Sequence, residues 1–189
     1  MIFDRAHVED RVRRSADALS SLIPMADAVA EAGVALRDAV RRRATIYTCG
    51  NGGSAAQALH LAEELVGKYK HPRPPIPGLC LAADPTALTC IANDYGFEHV
   101  FSRQLEAFLR ENDALVVLST SGASENVVRA LNVARERGAL SIALLGNDGG
   151  PCRALADHPS IVPHDQSETI QEAHQLLLHL LVEAVESAS

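Results

Sequence analysis

Residues 44–67 read "ATIYTCGNGGSAAQALHLAEELVG". A short run of apolar and β-branched side chains ends at Cys49, glycines and one asparagine follow, and apolar residues then recur at helical spacing. That order, strand then small-residue loop then helix, is the opening unit of a parallel α/β sheet.

The same alternation continues downstream. "GLCLA" (78–82), "ALVVLST" (114–120), "LSIALLG" (140–146) and "SIVP" (160–163) read as further strands, with helices expected near 53–67, 86–109, 124–137, 149–156 and 166–187. Apolar strands alternating with helices predict a doubly wound, five-stranded parallel sheet covered on both faces. Between the first such helix and the second strand, "KYKHPRPPIPG" (68–78) holds four prolines and is expected to cross as a rigid loop. Upstream, Val8, Val12, Ala16, Leu19 and Leu22 share a helical face. Ala28, Val29, Ala32, Leu36 and Val40 do so again after a break around Pro24, so two N-terminal helices precede the first strand.

A chain of 189 residues is expected to form one domain, 1–189. The net charge of −7 argues against charge-driven binding of nucleic acid, and the one basic cluster, Arg41 to Arg43, sits where a helix end favours cations. No apolar run approaches the roughly 20 residues of a membrane span, and the charged start does not resemble a signal peptide. A cytoplasmic protein without membrane contacts is the expectation. Cys49, Cys80, Cys90 and Cys152 form no Cys-x-x-Cys pair and are expected as reduced thiols.

In an open parallel sheet, ligands bind beyond the carboxyl ends of the strands, which directs attention to the loops after "IYTC" and "ALVVL". The first, "GNGGSA", lets backbone N–H groups approach an anion at a helix N-terminus. Gly50, Gly52 and Ala55 also satisfy a dinucleotide-binding pattern, but the acidic residue expected about 20 positions on is missing from "GKYKHPR". The second loop, "STSGAS", places the hydroxyls of Ser119, Thr120, Ser121 and Ser124 at another helix start. A helix cap needs only one of them, so anion binding is the better reading.

His60 and Glu64, four apart on the first-loop helix, share a face. A polar solvent-facing stripe would have the same spacing. In the last helix, "ETIQEAHQLLLHLLVEAV", His179 lies in an apolar run, which fits either a satisfied core histidine or a metal ligand, with Gln171 and His174 on preceding turns. Histidine, glutamate and glutamine donors suit zinc, and also nickel or cobalt. Gln171 and His179 stand about 12 Å apart along a straight helix, a long reach for one ion.

Together, "CGNGGSAAQALHLAEEL", "IANDYGFEHVFSRQLEAF", "STSGASENVVRAL" and "IQEAHQLLLHLL" resemble, in order and separation, the sugar isomerase (SIS) domain family. Within that family they are similar to the branch acting on sedoheptulose 7-phosphate, over nearly the whole chain. The resemblance implies a flavodoxin-like SIS fold in which Asn51, Gly52, Gly53, Ser54, Asn93, Asp94, Ser119, Thr120, Ser121, Ser124 and Gln171 hold a phosphorylated heptose. It further implies that His60, Glu64, Gln171 and His179 bind one Zn2+ per subunit, with Glu64 as base and His179 as acid.

The implied reaction converts sedoheptulose 7-phosphate to D-glycero-D-manno-heptose 7-phosphate through an enediol. The implied assembly is a homotetramer with sites between subunits, residues 1–43 making oligomer contacts. Glu168 and Thr169 stand where the family carries an acidic residue and arginine, and Lys68 stands in place of an arginine. Those departures leave a related phosphosugar, such as an octulose 8-phosphate, as an alternative substrate. A non-catalytic relative that binds a replication initiator would lack the metal histidine that His179 supplies. A sugar-phosphate sensor would be expected to carry a DNA-binding domain as well.

Overall fold

A computed structural model describes residues 3–187. Helix α1 (Arg5–Ser20) starts at Asp4, whose carboxylate accepts the His7 N–H at 2.9 Å. A single 3₁₀ turn at Ile23–Met25, built on Pro24, leads into α2 (Ala26–Arg41).

Parallel strands then alternate with helices: β1 (Ile46–Gly50), α3 (Gly53–Val66), β2 (Gly78–Cys80), α4 (Pro85–Tyr95), α5 (Ser102–Phe108), β3 (Ala114–Ser119), α6 (Glu125–Arg137), β4 (Leu140–Gly146), α7 (Cys152–Leu155), β5 (His158–Val162) and α8 (Ser167–Glu186). The strand order is β2-β1-β3-β4-β5, the flavodoxin-like winding. Register runs Ile46 opposite Ala114 and Ala114 opposite Leu140. β1 and β3 are buried along their whole length, as strands covered on both faces must be.

The sheet separates two cores. On one face α2, α3 and α8 contribute Leu36, Leu61, Leu65, Leu177, Leu181 and Val185 against Ile46, Val116 and Ile142. On the other, α5 and α6 contribute Phe101, Leu105, Val127 and Leu131 against Tyr47, Leu115 and Val117. Each fully buried Leu or Ile contributes roughly 1.5–3 kcal/mol.

The segment expected as one helix over 86–109 is broken. Gly96, at φ 95°, ends α4 in a conformation open to glycine, and a 3₁₀ turn at Phe97–His99 intervenes before α5. Apolar composition gave no sign of the break because Ile91, Ala92, Val100 and Phe101 continue on both sides of it.

The helical stretch Arg5–Arg41 contains an 18-residue window of mean hydropathy 1.4, apolar enough by composition to cross a membrane. That apolar content is shared between packing and exposure: α2 buries Val29, Ala32, Leu36 and Ala39, whereas α1 buries only Ala18 and leaves Val8 and Val12 exposed.

Candidate active site

The winding reverses between β1 and β3, which opens a crevice beyond their carboxyl ends. The β1 loop enters it tightly. A Cβ at Gly50 would stand 2.8 Å from the Leu118 carbonyl oxygen, so only glycine passes there. Gly52 adopts φ 55° and faces open space, which leaves its backbone accessible to a ligand. Ser54 is buried in the first turn of α3.

Asn51 ties this loop to the next one. Its amide exchanges two hydrogen bonds with Asn126, at 2.9 and 2.8 Å, and so joins the β1 loop to α6.

Beyond β3, the Ser119 hydroxyl accepts the Gly122 N–H at 3.1 Å and the Ser121 hydroxyl accepts the Ala123 N–H at 3.2 Å. Ser124 is the N-cap of α6 but makes no side-chain cap bond, so its hydroxyl is free for another partner. Ser124, Asn51 and Asn126 line a cavity of about 350 Å³, and Ser121 opens on a broader one of about 850 Å³ with Asn147 and His164.

Helix α8 runs past these loops turn by turn. Near its start the Ser167 hydroxyl donates to Thr120 Oγ1 at 3.2 Å. One turn on, the Gln171 amide lies against Gly53, close enough that a Cβ there would stand 2.6 Å from its Nε2. Farther along, Gln175 Nε2 reaches His60 Nδ1 at 2.9 Å and His179 Nε2 at 3.1 Å.

His60, Glu64 and His179 converge, with one potential ligand atom from each lying within 4.8 Å of the others. His60 Nε2 stands 3.1 Å from Glu64 Oε1. The second carboxylate oxygen, Oε2, is buried with no hydrogen-bond partner. A buried, half-satisfied carboxylate beside two imidazoles has the donor set of a zinc site. Burial, followed by the neighbouring His60, lowers the proton affinity of His179 and keeps its lone pair available. Tyr69 stacks on His179 with ring centroids 5.1 Å apart. The loop carrying Tyr69 is clamped by Glu186, which accepts the N–H groups of Tyr69 and Lys70 at 3.0 and 3.1 Å.

The structure thus gathers His60, Glu64 and His179, and separately places Asn51 to Ser54 near Gln171 and Ser119 to Ser124 near the start of α8. Gln171 points at the β1 loop, and Gln175 bridges one ring nitrogen of each histidine, whose rings meet edge to face with centroids 5.4 Å apart. Asn93 and Asp94 are exposed on α4 and bond to each other at 2.7 Å. Lys68 and Glu168 are exposed, and Thr169 is buried with its hydroxyl unpartnered. Gln57, Asn126 and Gln175 escaped sequence reasoning. The signal for Gln175 was present in its spacing, four residues from both Gln171 and His179.

The SIS domain family model matches residues 11–146. The phosphoheptose isomerase of Rhodospirillum rubrum is 44% identical over 185 residues, covering 96% of this chain and 98% of that protein. The phosphoheptose isomerase of Nitratiruptor sp. is 46% identical over 151 residues, covering 80% of this chain and 81% of its own. A solved phosphoheptose isomerase from Neisseria gonorrhoeae superposes with a TM-score of 0.84 at 40% identity, covering 96% of both chains.

Proposed function

This chain belongs to the SIS domain family, and from that premise we propose that it is a phosphoheptose isomerase, converting sedoheptulose 7-phosphate to D-glycero-D-manno-heptose 7-phosphate. The observation that carries the reading is the path of α8. It passes hydroxyl and glycine loops suited to a phosphate at Ser167 and Gln171, and reaches the imidazole and carboxylate cluster at His179. Along the axis His179 stands about two helical turns, roughly 12 Å, from Gln171 and about 18 Å from Ser167, a span that suits an open-chain sugar phosphate with its carbonyl at the histidines.

The chemistry needs a base to carry a proton between C1 and C2 and an acid to serve the carbonyl oxygens. Glu64 takes the first role and His179 the second. Asn51, Gly52, Gly53, Ser54, Ser119, Thr120, Ser121 and Ser124 hold the phosphate and hydroxyls, with Gln171 over the β1 loop. His60, Glu64 and His179 would hold a zinc ion, and Gln171, whose amide lies against Gly53 in this chain, would serve as a further donor to a site between subunits. When bound, the ion supplies Lewis-acid polarisation of the carbonyl.

Asn93 and Asp94 complete the substrate contacts from α4. The exposed Val8 and Val12 of α1 fit a role for residues 1–43 in oligomer contacts, and the family resemblance extends that to a cytoplasmic homotetramer with sites between subunits.

The test is to incubate the purified protein with C7 and C8 ketose phosphates and follow aldose formation before and after chelation. Conversion of the C7 ketose that is lost on chelation supports the reading. Conversion of the C8 ketose alone assigns the alternative substrate, an octulose 8-phosphate, and conversion of neither overturns the assignment.

A further inference from the structure

The hydrogen bonds around Gln175 form a chain whose direction is fixed at one end. The Gln171 backbone carbonyl can only accept, so Gln57, 2.7 Å away, must turn its Nε2 toward it. The same Nε2 lies 3.3 Å from Gln175 Oε1, so the Gln175 amide must direct its oxygen at Gln57 and its NH2 at the histidines. An amide nitrogen has two hydrogens to give and no lone pair to offer. His60 Nδ1 and His179 Nε2, at 2.9 and 3.1 Å, must therefore both accept from it.

Two consequences follow from that polarity. The remaining ring proton of His60 is directed to Nε2, toward Glu64 Oε1, and that of His179 to Nδ1. One ring lone pair on each histidine of the cluster, at His60 Nδ1 and His179 Nε2, is thus engaged by an N–H group of Gln175.

We infer that Gln175 is a placeholder at the metal site: its amide NH2 sets the tautomers of His60 and His179 and must be displaced for a divalent cation to take His60 Nδ1 or His179 Nε2. Gln57 enforces this orientation, because turning the Gln175 oxygen toward the cation would set two NH2 groups against each other. Gln175 is thus a positioning residue that organises the histidines and weakens metal binding, and a glutamine one turn from His179 is not a ligand here. The inference rests on the reading of His60, Glu64 and His179 as a metal site.

The experiment measures zinc affinity by competition with a chromophoric chelator for the wild type, Gln175→Leu and Gln57→Leu. Removing two hydrogen bonds that compete with the ion makes Gln175→Leu bind zinc roughly ten-fold more tightly. Gln57→Leu, which frees the amide to rotate, moves affinity the same way by less. Unchanged or weaker binding by Gln175→Leu overturns the inference and leaves the metal site standing, whereas failure of wild type and variant alike to bind zinc overturns both. If the leucine variant does not fold, Gln175→Asn, one methylene too short to reach both rings, is expected to tighten binding in its place. Independently of any metal, 15N NMR of the metal-free protein should show His60 protonated at Nε2 and His179 at Nδ1. Either ring in the opposite tautomer overturns the inference, and scrambling of both in Gln175→Leu supports it.

Discussion

Helices α3 and α8 form a wall, and α4 forms an edge. α8 buries nine residues, among them Ile170, Leu177 and Val185, and α3 buries Ala58, Leu61 and Leu65. α4 has no fully buried residue, and Tyr95 beside its end is half exposed. Both carry residues assigned to the site, yet they hold them differently. His60, Glu64 and His179 are fixed by neighbours on a packed surface, whereas Asn93 finds a partner only in adjacent Asp94. Chemistry that needs atoms held to fractions of an ångström belongs on the wall. An edge whose polar groups are partnered only within their own helix suits contacts completed by a substrate or a second surface.

The sharpest way to break this contrast is to remove the groups proposed as base and acid. Glu64→Gln and His179→Ala should each lower kcat by at least about 1,000-fold with the fold intact, the scale expected for losing a general base or acid. Asn93→Ala and Asp94→Ala should instead act chiefly on KM. Steady-state kinetics on sedoheptulose 7-phosphate separates these outcomes, and a kcat collapse in the α4 variants equal to that at the wall would erase the distinction.

The wall should also dominate stability toward acid. His174 is fully buried on α8, and burial, offset in part by the Leu145 backbone, pushes its pKa from 6.5 down to about 4. Its folded form resists a proton that the unfolded chain accepts below pH 6.5, so stability is complete above that pH and falls as pH drops toward 4. The loss over that window is about 3 kcal/mol. Urea titrations of the wild type and His174→Leu across pH 4–7 measure it. The variant should lack that part of the slope, and parallel curves would show that His174 does not titrate as its burial requires.

Much of the fold was legible in the sequence, because apolar strands and amphipathic helices declare themselves by period. Gly96 hid the break between α4 and α5, since a glycine's φ leaves no mark on the apolar pattern around it. At the site, His60 and Glu64 were legible as a pair because one helix sets their spacing. Their meeting with His179 depends on how α8 packs on α3, a tertiary fact that no local spacing encodes. Gln57 was illegible for the same reason, and the spacing of Gln175 put it on the face of Gln171 and His179 without showing its link to Gln57: amides on two helices become a network only after the wall is assembled. The family resemblance named Gln171, but could not say that its side chain rests against Gly53 in this chain.

Between wall and edge stands the serine loop, in which the Ser119 and Ser121 hydroxyls each hold one backbone N–H and keep a hydrogen to donate. Ser119→Ala or Ser121→Ala should raise KM roughly ten-fold with little change in kcat, one bond to a charged phosphate being lost in ground and transition state alike. Inorganic phosphate as a competitive inhibitor should weaken in parallel. An effect on kcat alone would move these serines from binding to chemistry.

The mildest test acts on the edge itself. Asp84 caps α4 by accepting the N–H groups of Thr86 and Ala87 at 2.8 and 3.2 Å, and Pro85 occupies the first helical position. Asp84→Ala removes a cap whose loss costs about 1 kcal/mol. With so little of α4 buried, that loss should appear as local opening rather than as a lower global stability. Hydrogen exchange should therefore accelerate over residues 85–95 and stay unchanged in α3 and α8. Zinc affinity should hold, and KM should rise by at most a few-fold as Asn93 and Asp94 lose their register. If exchange in α8 accelerates equally, α4 is coupled to the wall, and the two regions unfold as one cooperative unit.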